Sequence, residues 1–262
     1  ENVELEINEK EMMGREDLRN VLTITIDGED SKDLDDAVSL TKLDNGNYEL
    51  GVHIADVSHY VQENTALDKE AYERGTSVYL VDRVIPMLPE VLSNGICSLN
   101  EGEDRLTLSV IMEIDKSGVV VDHKIYESVI CSSKRMTYTD VTAIVEGDEE
   151  KRERFSDLVE MIGRMAELRA ILRKKRVSRG SIDFNFDEAR IVLDENGKPI
   201  DIVKRERGVS NSMIEEFMLV CNETVAEHMF WLNIPFVYRV HEEPDPDTMK
   251  EFAKFIAPLG YS

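Results

Sequence analysis

The chain has little that could cross-link it, carry it through a bilayer or give it positive charge. Only three of its 262 residues are cysteine, at Cys97, Cys131 and Cys221. They are odd in number, far apart, and match neither a zinc spacing nor a disulfide framework. Reduced thiols in a cytoplasmic protein are therefore expected. No apolar run approaches the ~18 residues a bilayer-spanning helix needs, so no membrane segment is expected. The N-terminus begins at Glu1 and shows no signal-peptide pattern. Repeats and low-complexity tracts are lacking too. Basic residues are scarce: 31 Lys and Arg stand against 54 Asp and Glu, for a net charge of −23. Taken alone, this argues against nucleic-acid binding, because phosphate contacts favour a basic face. Net charge is not local charge, however. Acidic side chains that hold Mg²⁺ present positive potential to a phosphate, and basic modules can lie elsewhere on a longer chain.

What is present is a globular composition, 42% hydrophobic and 32% charged, which excludes a disordered chain. The length suits one large domain or two small ones. The most informative stretch is Asp27–Asp36, DGEDSKDLDD, with six acidic residues in ten positions. It follows the apolar, β-branched run Val21–Ile26, so a strand delivers the carboxylates. Two carboxylates about 4 Å apart repel by roughly 4 kcal/mol at an effective dielectric near 20. Such a cluster must protonate, splay into water or bind a cation. Oxygen-only ligands suit Mg²⁺, Mn²⁺ and Ca²⁺. An EF-hand is a poor fit, since no register supplies its glycine and terminal glutamate. A solvated acidic turn is the plain alternative.

Strands are expected at Val21–Ile26, Ala37–Leu43 and Tyr48–Ile54, with an Asn-Gly turn at Asn45-Gly46 between the last two. Leu67–Gly75 reads as a short helix and Val84–Pro89 as extended. Leu106–Ile114 and Val119–Val129 form a second hairpin about Lys116-Ser117-Gly118. Helix enters at Thr139, and one long helix is expected over Lys151–Lys175. Its basic end, Arg173–Arg176, either complements the helix dipole or contacts an RNA backbone. Short strands follow at Ile182–Phe186, Arg190–Leu193 and Ile200–Lys204. A second long helix spans Met213–Trp231, with Ser212–Glu215 as its capping box. Asn211, Glu215 and Asn222 share one flank of it. A helical pattern at Asp247–Ala257 comes last. Together these give a mixed α/β domain with a substantial antiparallel component.

The order of segments resembles the ribonuclease II/ribonuclease R exoribonucleases. The carrying residues are Asp27, Asp33, Asp35 and Asp36 after Thr23–Ile26, then Gly51-Val52-His53-Ile54-Ala55-Asp56-Val57-Ser58-His59-Tyr60. Ser77–Leu80, Val84–Pro89 and Leu92–Leu99 continue it, followed by Arg179–Phe184 and Ile214–Met218. The resemblance covers nearly all of the chain from about residue 20, and its His53–His59 segment favours ribonuclease R. It implies an RNB-type catalytic domain, α/β (mixed α+β), with a twisted, largely antiparallel sheet packed by helices. It also implies processive 3′-to-5′ hydrolysis of single-stranded RNA to nucleoside 5′-monophosphates with Mg²⁺ or Mn²⁺, by a monomer. By analogy Asp27, Asp33 and Asp36 hold the principal metal, and Asp35 supports a second metal or orients water. Tyr79 and Phe184 would stack on bases, Tyr138 would contact a sugar, and Glu215 or Glu216 would touch RNA. His53, His59 and Arg105 read as structural, and Met161, Met165 and Met218 as core.

Residues 1–19 are expected to be a linker from a cold-shock module, and residues 20–262 the catalytic domain without its C-terminal part. The family's Ser-Pro-Ile-Arg-Arg-type segment and a later glutamate are not among these residues, so weak activity is expected of the chain by itself. A nonhydrolytic RNA-binding relative and a divalent-cation-binding module are the competing readings.

Overall fold

The computed structural model describes residues 7–182, 188–205 and 207–261. It divides into two compact units, Glu1–Thr224 and Val225–Ser262. The strand expected at Ile182–Phe186 falls mostly on residues outside those described.

The first unit is built on a mixed sheet of seven strands. Its members are β1 (Glu16–Asp17), β2 (Ile24–Asp27), β3 (Asp36–Lys42), β4 (Tyr48–Ala55), β7 (Asp104–Ile114), β8 (Val120–Cys131) and β9 (Lys134–Thr137). Their order is β1–β8–β7–β4–β3–β2–β9. The two outer pairings, β1 with β8 and β2 with β9, are parallel, and the others are antiparallel. The sheet is thus mixed and largely antiparallel, as expected. The short helix α1 (Glu9–Met12) precedes the sheet, and α2 (Val57–Tyr60) and α3 (Ala66–Arg74) lie between β4 and β7. A small hairpin of β5 (Val78–Tyr79) and β6 (Val84–Ile85) and a wide helical turn at Val91–Ile96 complete that connection.

After β9 come α4 (Tyr138–Glu146), α5 (Glu149–Arg154) and α6 (Val159–Ser178), then the hairpin β10 (Glu188–Leu193) with β11 (Pro199–Arg205). The helix α7 (Val209–Trp231) spans the boundary between the units, and α8 (Pro246–Ile256) belongs to the second. Among the described residues no helix is long and apolar enough to cross a membrane. Within the second unit, α8 is capped by Asp245, and its Met249, Phe252 and Phe255 are exposed.

Helix α6 packs on β3, and Tyr48 of β4 donates its hydroxyl to Glu167 Oε2 at 3.0 Å. The side of the sheet that carries Ala37 and Ala55 is covered by a cluster of Leu34, Leu92, Ile96, Cys97, Leu99 and Ile130. Next to it lies a buried polar layer. His53 is fully buried, with Nδ1 2.7 Å from Ser109 Oγ and Nε2 3.1 Å from Ser39 Oγ. Ser109 continues to Ser128, and Ser128 to Thr107. Burial pushes the imidazole down to about 4. His59 and Arg105 are structural as expected. His59 Nε2 meets Glu11 Oε1 at 3.0 Å, and Arg105 donates to Ser98 O at 2.8 Å. Arg15 and Asp56, both nearly buried, pair at 2.7 Å and fasten the segment after α1 to the end of β4.

Three expectations need correction. The helix over Lys151–Lys175 is two helices, because Phe155 and Leu158 turn inward to become 5% and 1% exposed where the chain leaves α5. The second long helix starts at Val209, so Ser212 lies inside it and is no cap. Its hydroxyl instead accepts from Arg169 Nε at 2.9 Å. Strand β9 was not foreseen as an element at all.

Gly51 faces the polar layer, where an added Cβ would overlap Ser39 Oγ and stand 2.8 Å from His53 Nε2. Neither neighbour can swing away without breaking its hydrogen bonds. Gly51→Ala is expected to destabilise the fold by about 1–3 kcal/mol, the usual cost of overpacking. Urea unfolding with an unchanged midpoint would contradict this.

Candidate active site

Strand β2 is buried on both faces: Thr23, Ile24 and Thr25 are fully enclosed and Ile26 nearly so. That explains its β-branched run, which packs well on a pleated, enclosed surface. Asp27 is its last residue, and Asp36 is the first residue of the neighbouring β3. The loop between them is held from the core by Leu34, which is 2% exposed. Ser98 secures the same point twice: its hydroxyl donates to Lys32 O at 2.9 Å and accepts from Leu34 N at 3.1 Å. Leu99 N donates to Leu34 O at 2.8 Å, and Ala55 N to Asp35 O at 3.0 Å. With Leu34 sunk, the backbone between Asp33 and Asp35 is fixed.

The four aspartates feel one another. Burial pushes Asp27 up to about 7, and repulsion from Asp36, Asp35 and Asp33 adds to it, while Arg135 opposes the rise. Burial raises Asp36 to about 6, with Asp35 contributing. Partial desolvation also raises Asp35, helped by Asp33. Asp27 Oδ2 and Asp36 Oδ2 are buried and find no hydrogen-bond donor among the described residues. Two orphaned carboxylate oxygens in an oxygen-only donor set fit a hard divalent cation. Among the described residues, no three acidic, histidine or cysteine side chains converge at the spacing of a full ligand set.

Tyr79 stands at this cluster. Its ring is 68% exposed, and its hydroxyl donates to Asp33 Oδ2 at 3.3 Å. The carboxylate raises the phenol in turn, since Asp33 disfavours a second negative charge beside it. Tyr138 is the first residue of α4, directly after β9, and its carbonyl accepts from Ser210 Oγ at 2.8 Å. Glu215 lies on α7 and is exposed, with Arg207 Nη2 at 3.3 Å and Arg176 Nη2 at 3.9 Å. Glu216 is 3% exposed and paired with Arg176 at 2.8 Å, so of the two glutamates only Glu215 can reach a ligand. Phe184 lies outside the described residues.

Several basic residues at the end of α6 are paired within the chain. Lys175 Nζ donates to Gly118 O at 2.7 Å, Arg176 pairs with Glu216, and Arg179 pairs with Glu223 at 2.6 Å. Sequence reasoning missed Leu34, Ser98 and Arg135, whose parts in the site depend on contacts across the fold. The only local sign was a single apolar residue inside an acidic run.

A mixed, mostly antiparallel sheet that ends in a desolvated carboxylate cluster beside an exposed tyrosine is an arrangement suited to phosphate-ester chemistry. Residues 15–261 match the RNB domain, and the chain belongs to that family. It is 54% identical over 260 residues to Ribonuclease R 1 of Lactococcus lactis, covering 99% of this chain and 32% of that protein. It is also 54% identical to Ribonuclease R of Thermotoga maritima, covering 97% of this chain and 36% of that protein. The chain thus spans about a third of the length of these relatives. The structure of Mycoplasma genitalium RNase R in complex with ribose methylated single-stranded RNA superposes with a TM-score of 0.90 at 32% identity. That match covers 98% of this chain and 40% of the other.

The raised carboxyls make stability depend on pH. Asp27 holds its proton to about 7 in the fold, against an ordinary value of 3.8. Between those values the folded chain binds more protons than the unfolded one, so stability falls as pH rises. His53 works the other way between about 4 and 6.5, so the effect is best read as a difference between variants. In EDTA, Asp27→Asn is expected to gain melting temperature relative to wild type progressively from pH 5 to pH 7.5. A difference that does not vary with pH would count against the desolvated cluster.

Proposed function

We propose that this chain is the catalytic unit of a 3′-to-5′ exoribonuclease that hydrolyses single-stranded RNA to nucleoside 5′-monophosphates with Mg²⁺ or Mn²⁺. The observation that carries the reading is the aspartate cluster with orphaned, buried oxygens on Asp27 and Asp36, set against the exposed ring of Tyr79. The M. genitalium relative captured with single-stranded RNA supports the choice of substrate.

Asp27 and Asp36, with Asp33, would hold the principal cation. When bound, a divalent cation supplies neutralisation of phosphate charge and an acidified water. Asp35, the outermost of the four carboxylates, orients the attacking water and can take its proton. The water oxygen bonds to phosphorus as the bond from phosphorus to the penultimate 3′ oxygen breaks, and that oxygen takes a proton from solvent to leave as a hydroxyl. Tyr79 stacks on a base near the scissile end. Such stacking is worth ~1–3 kcal/mol per base and tolerates any sequence. Its bond to Asp33 ties the orientation of the ring to the cluster, so binding and chemistry share a residue. Tyr138 contacts a sugar, Glu215 reaches the RNA, and Phe184 supplies a second stacking ring. The free cysteines, Cys97 and Cys221 buried among them, suit a cytoplasmic enzyme.

The test is release of mononucleotides from poly(A) by the intact protein. AMP should appear with Mg²⁺ and not in EDTA. Asp35→Asn should lower the rate on the order of 100-fold or more, as loss of a proton acceptor does, while leaving RNA bound. RNA that is bound but never cleaved would favour the nonhydrolytic reading instead.

A further inference from the structure

Three carbonyl oxygens of the loop that joins Asp27 to Asp33 turn toward one guanidinium. Arg135 Nη2 lies 2.7 Å from Ser31 O, 3.0 Å from Glu29 O and 3.4 Å from Gly28 O. Its two hydrogens are shared among the three acceptors. The loop is also folded on itself, with Ser31 N donating to Gly28 O at 3.2 Å. A Cβ at Gly28 would stand 3.2 Å from Ser31 Oγ, so the turn leaves little room for a side chain there.

Arg135 reaches this place because β9 runs parallel to β2, with Arg135 in register with Thr25 and Thr137 with Asp27. The same segment makes a second contact, from Thr139 Oγ1 to Glu29 Oε1 at 3.0 Å. The strand is fixed behind it: Arg135 N donates to Glu101 Oε2 at 3.1 Å, and Lys134 Nζ meets Glu101 Oε1 at 2.5 Å. The guanidinium's hydrogen bonds thus run to backbone carbonyls and not to the carboxylates, although the carboxylates are what a cation in an acidic loop would be expected to neutralise. Its buried Nε finds no partner among the described residues.

We propose that Arg135 is a positioning residue for the aspartate cluster. By tying the carbonyls of Gly28, Glu29 and Ser31 together it fixes Asp27 relative to Asp33, Asp35 and Asp36, and so sets the affinity of the cluster for a divalent cation. The proposal rests on the reading of these aspartates as the cation site of a nuclease. Lysine cannot replace the arginine fully, because a single ammonium lacks the planar spread of donors that a guanidinium presents.

Three proteins decide it: the intact wild type, Arg135→Gln and Arg135→Lys, each checked for fold by circular dichroism. Mn²⁺ affinity is measured by calorimetry without RNA, and amide hydrogen exchange is followed across residues 28–36. Arg135→Gln should weaken Mn²⁺ binding by about 10–100-fold, the usual effect of removing an outer-shell support. It should also speed exchange in the loop, with the lysine variant in between. Unchanged Mn²⁺ affinity in a folded Arg135→Gln overturns the proposal. So does loss of fold in both variants, since Arg135 would then be a folding determinant. A wild type that binds no Mn²⁺ overturns the cation site itself, and with it this inference, before any substitution is compared.

Discussion

The structure depends on holding like charges together where water is scarce. Each close pair of carboxylates costs several kcal/mol at the effective dielectric of a protein, roughly 4 kcal/mol at 4 Å. Burial first, and repulsion among the carboxylates second, raises Asp27 and Asp36. Lys32, the one cation within the acidic run, is exposed, so the rest of the fold must supply most of the offset. Leu34 does so from below, where its burial contributes about 1.5–3 kcal/mol. The Ser98 hydroxyl fixes the chain on the N-terminal side of Leu34, through Leu34 N and Lys32 O, and Leu99 N holds Leu34 O on the other. Arg135 does so from the flank, through carbonyls that would otherwise need water. A loop gripped in this way cannot relax its charges by splaying.

That grip dictates the order of the sheet. Asp27 ends a strand that needs a neighbour on each side, because its residues are enclosed and its backbone groups require partners. Strand β3 supplies one neighbour and returns with Asp36. Strand β9, arriving much later in the chain, supplies the other, carries Arg135 and leads directly into Tyr138. The polar layer of His53, Ser39, Ser109 and Ser128 spans β3, β4, β7 and β8. A satisfied buried network of this kind favours one register over its neighbours, since a slip would strand several polar groups at once. The register of β3 in turn fixes where Asp36 stands.

Much of this was legible in the sequence where a signal was local. The alternation in 36–55 and 104–131 located four strands to within about two residues, because antiparallel strands joined by tight turns write their period into adjacent residues. The acidic spacing could be read because its residues are adjacent in the chain. Tyr79, in contrast, was singled out only through the resemblance of its block to the family. Errors arose where a distant residue decided the outcome. Ser212 looked like a cap, yet Arg169 claims its hydroxyl. Phe155 and Leu158 fit a continuous helical face, yet both become core by leaving the helix. Strand β9 is four residues long and paired in parallel with a strand over a hundred residues earlier, a pairing that no short window can reveal. Leu34, Ser98 and Arg135 belong to the same class. Their residue types are ordinary, and only their partners give them a part in the site.

The charge balance now has a physical account. Several cations in the first unit are paired with carboxylates of the chain: Arg15 with Asp56 and Arg176 with Glu216 in the interior, Arg105 with the exposed Glu103, and Arg179 with Glu223 at the surface. Arg135 is spent on carbonyls. These pairings make those side chains less available to neutralise phosphates, as proteins with many free lysines and arginines do when they release counterions. Under the nuclease reading, what remains at the cluster is an exposed ring that could stack and a set of carboxylates that would attract a phosphate only through a cation held between them. Recognition and catalysis then share one requirement. The same divalent ion that makes the aspartates tolerable makes the substrate's backbone welcome, and Asp33 joins the two by holding Tyr79 beside it.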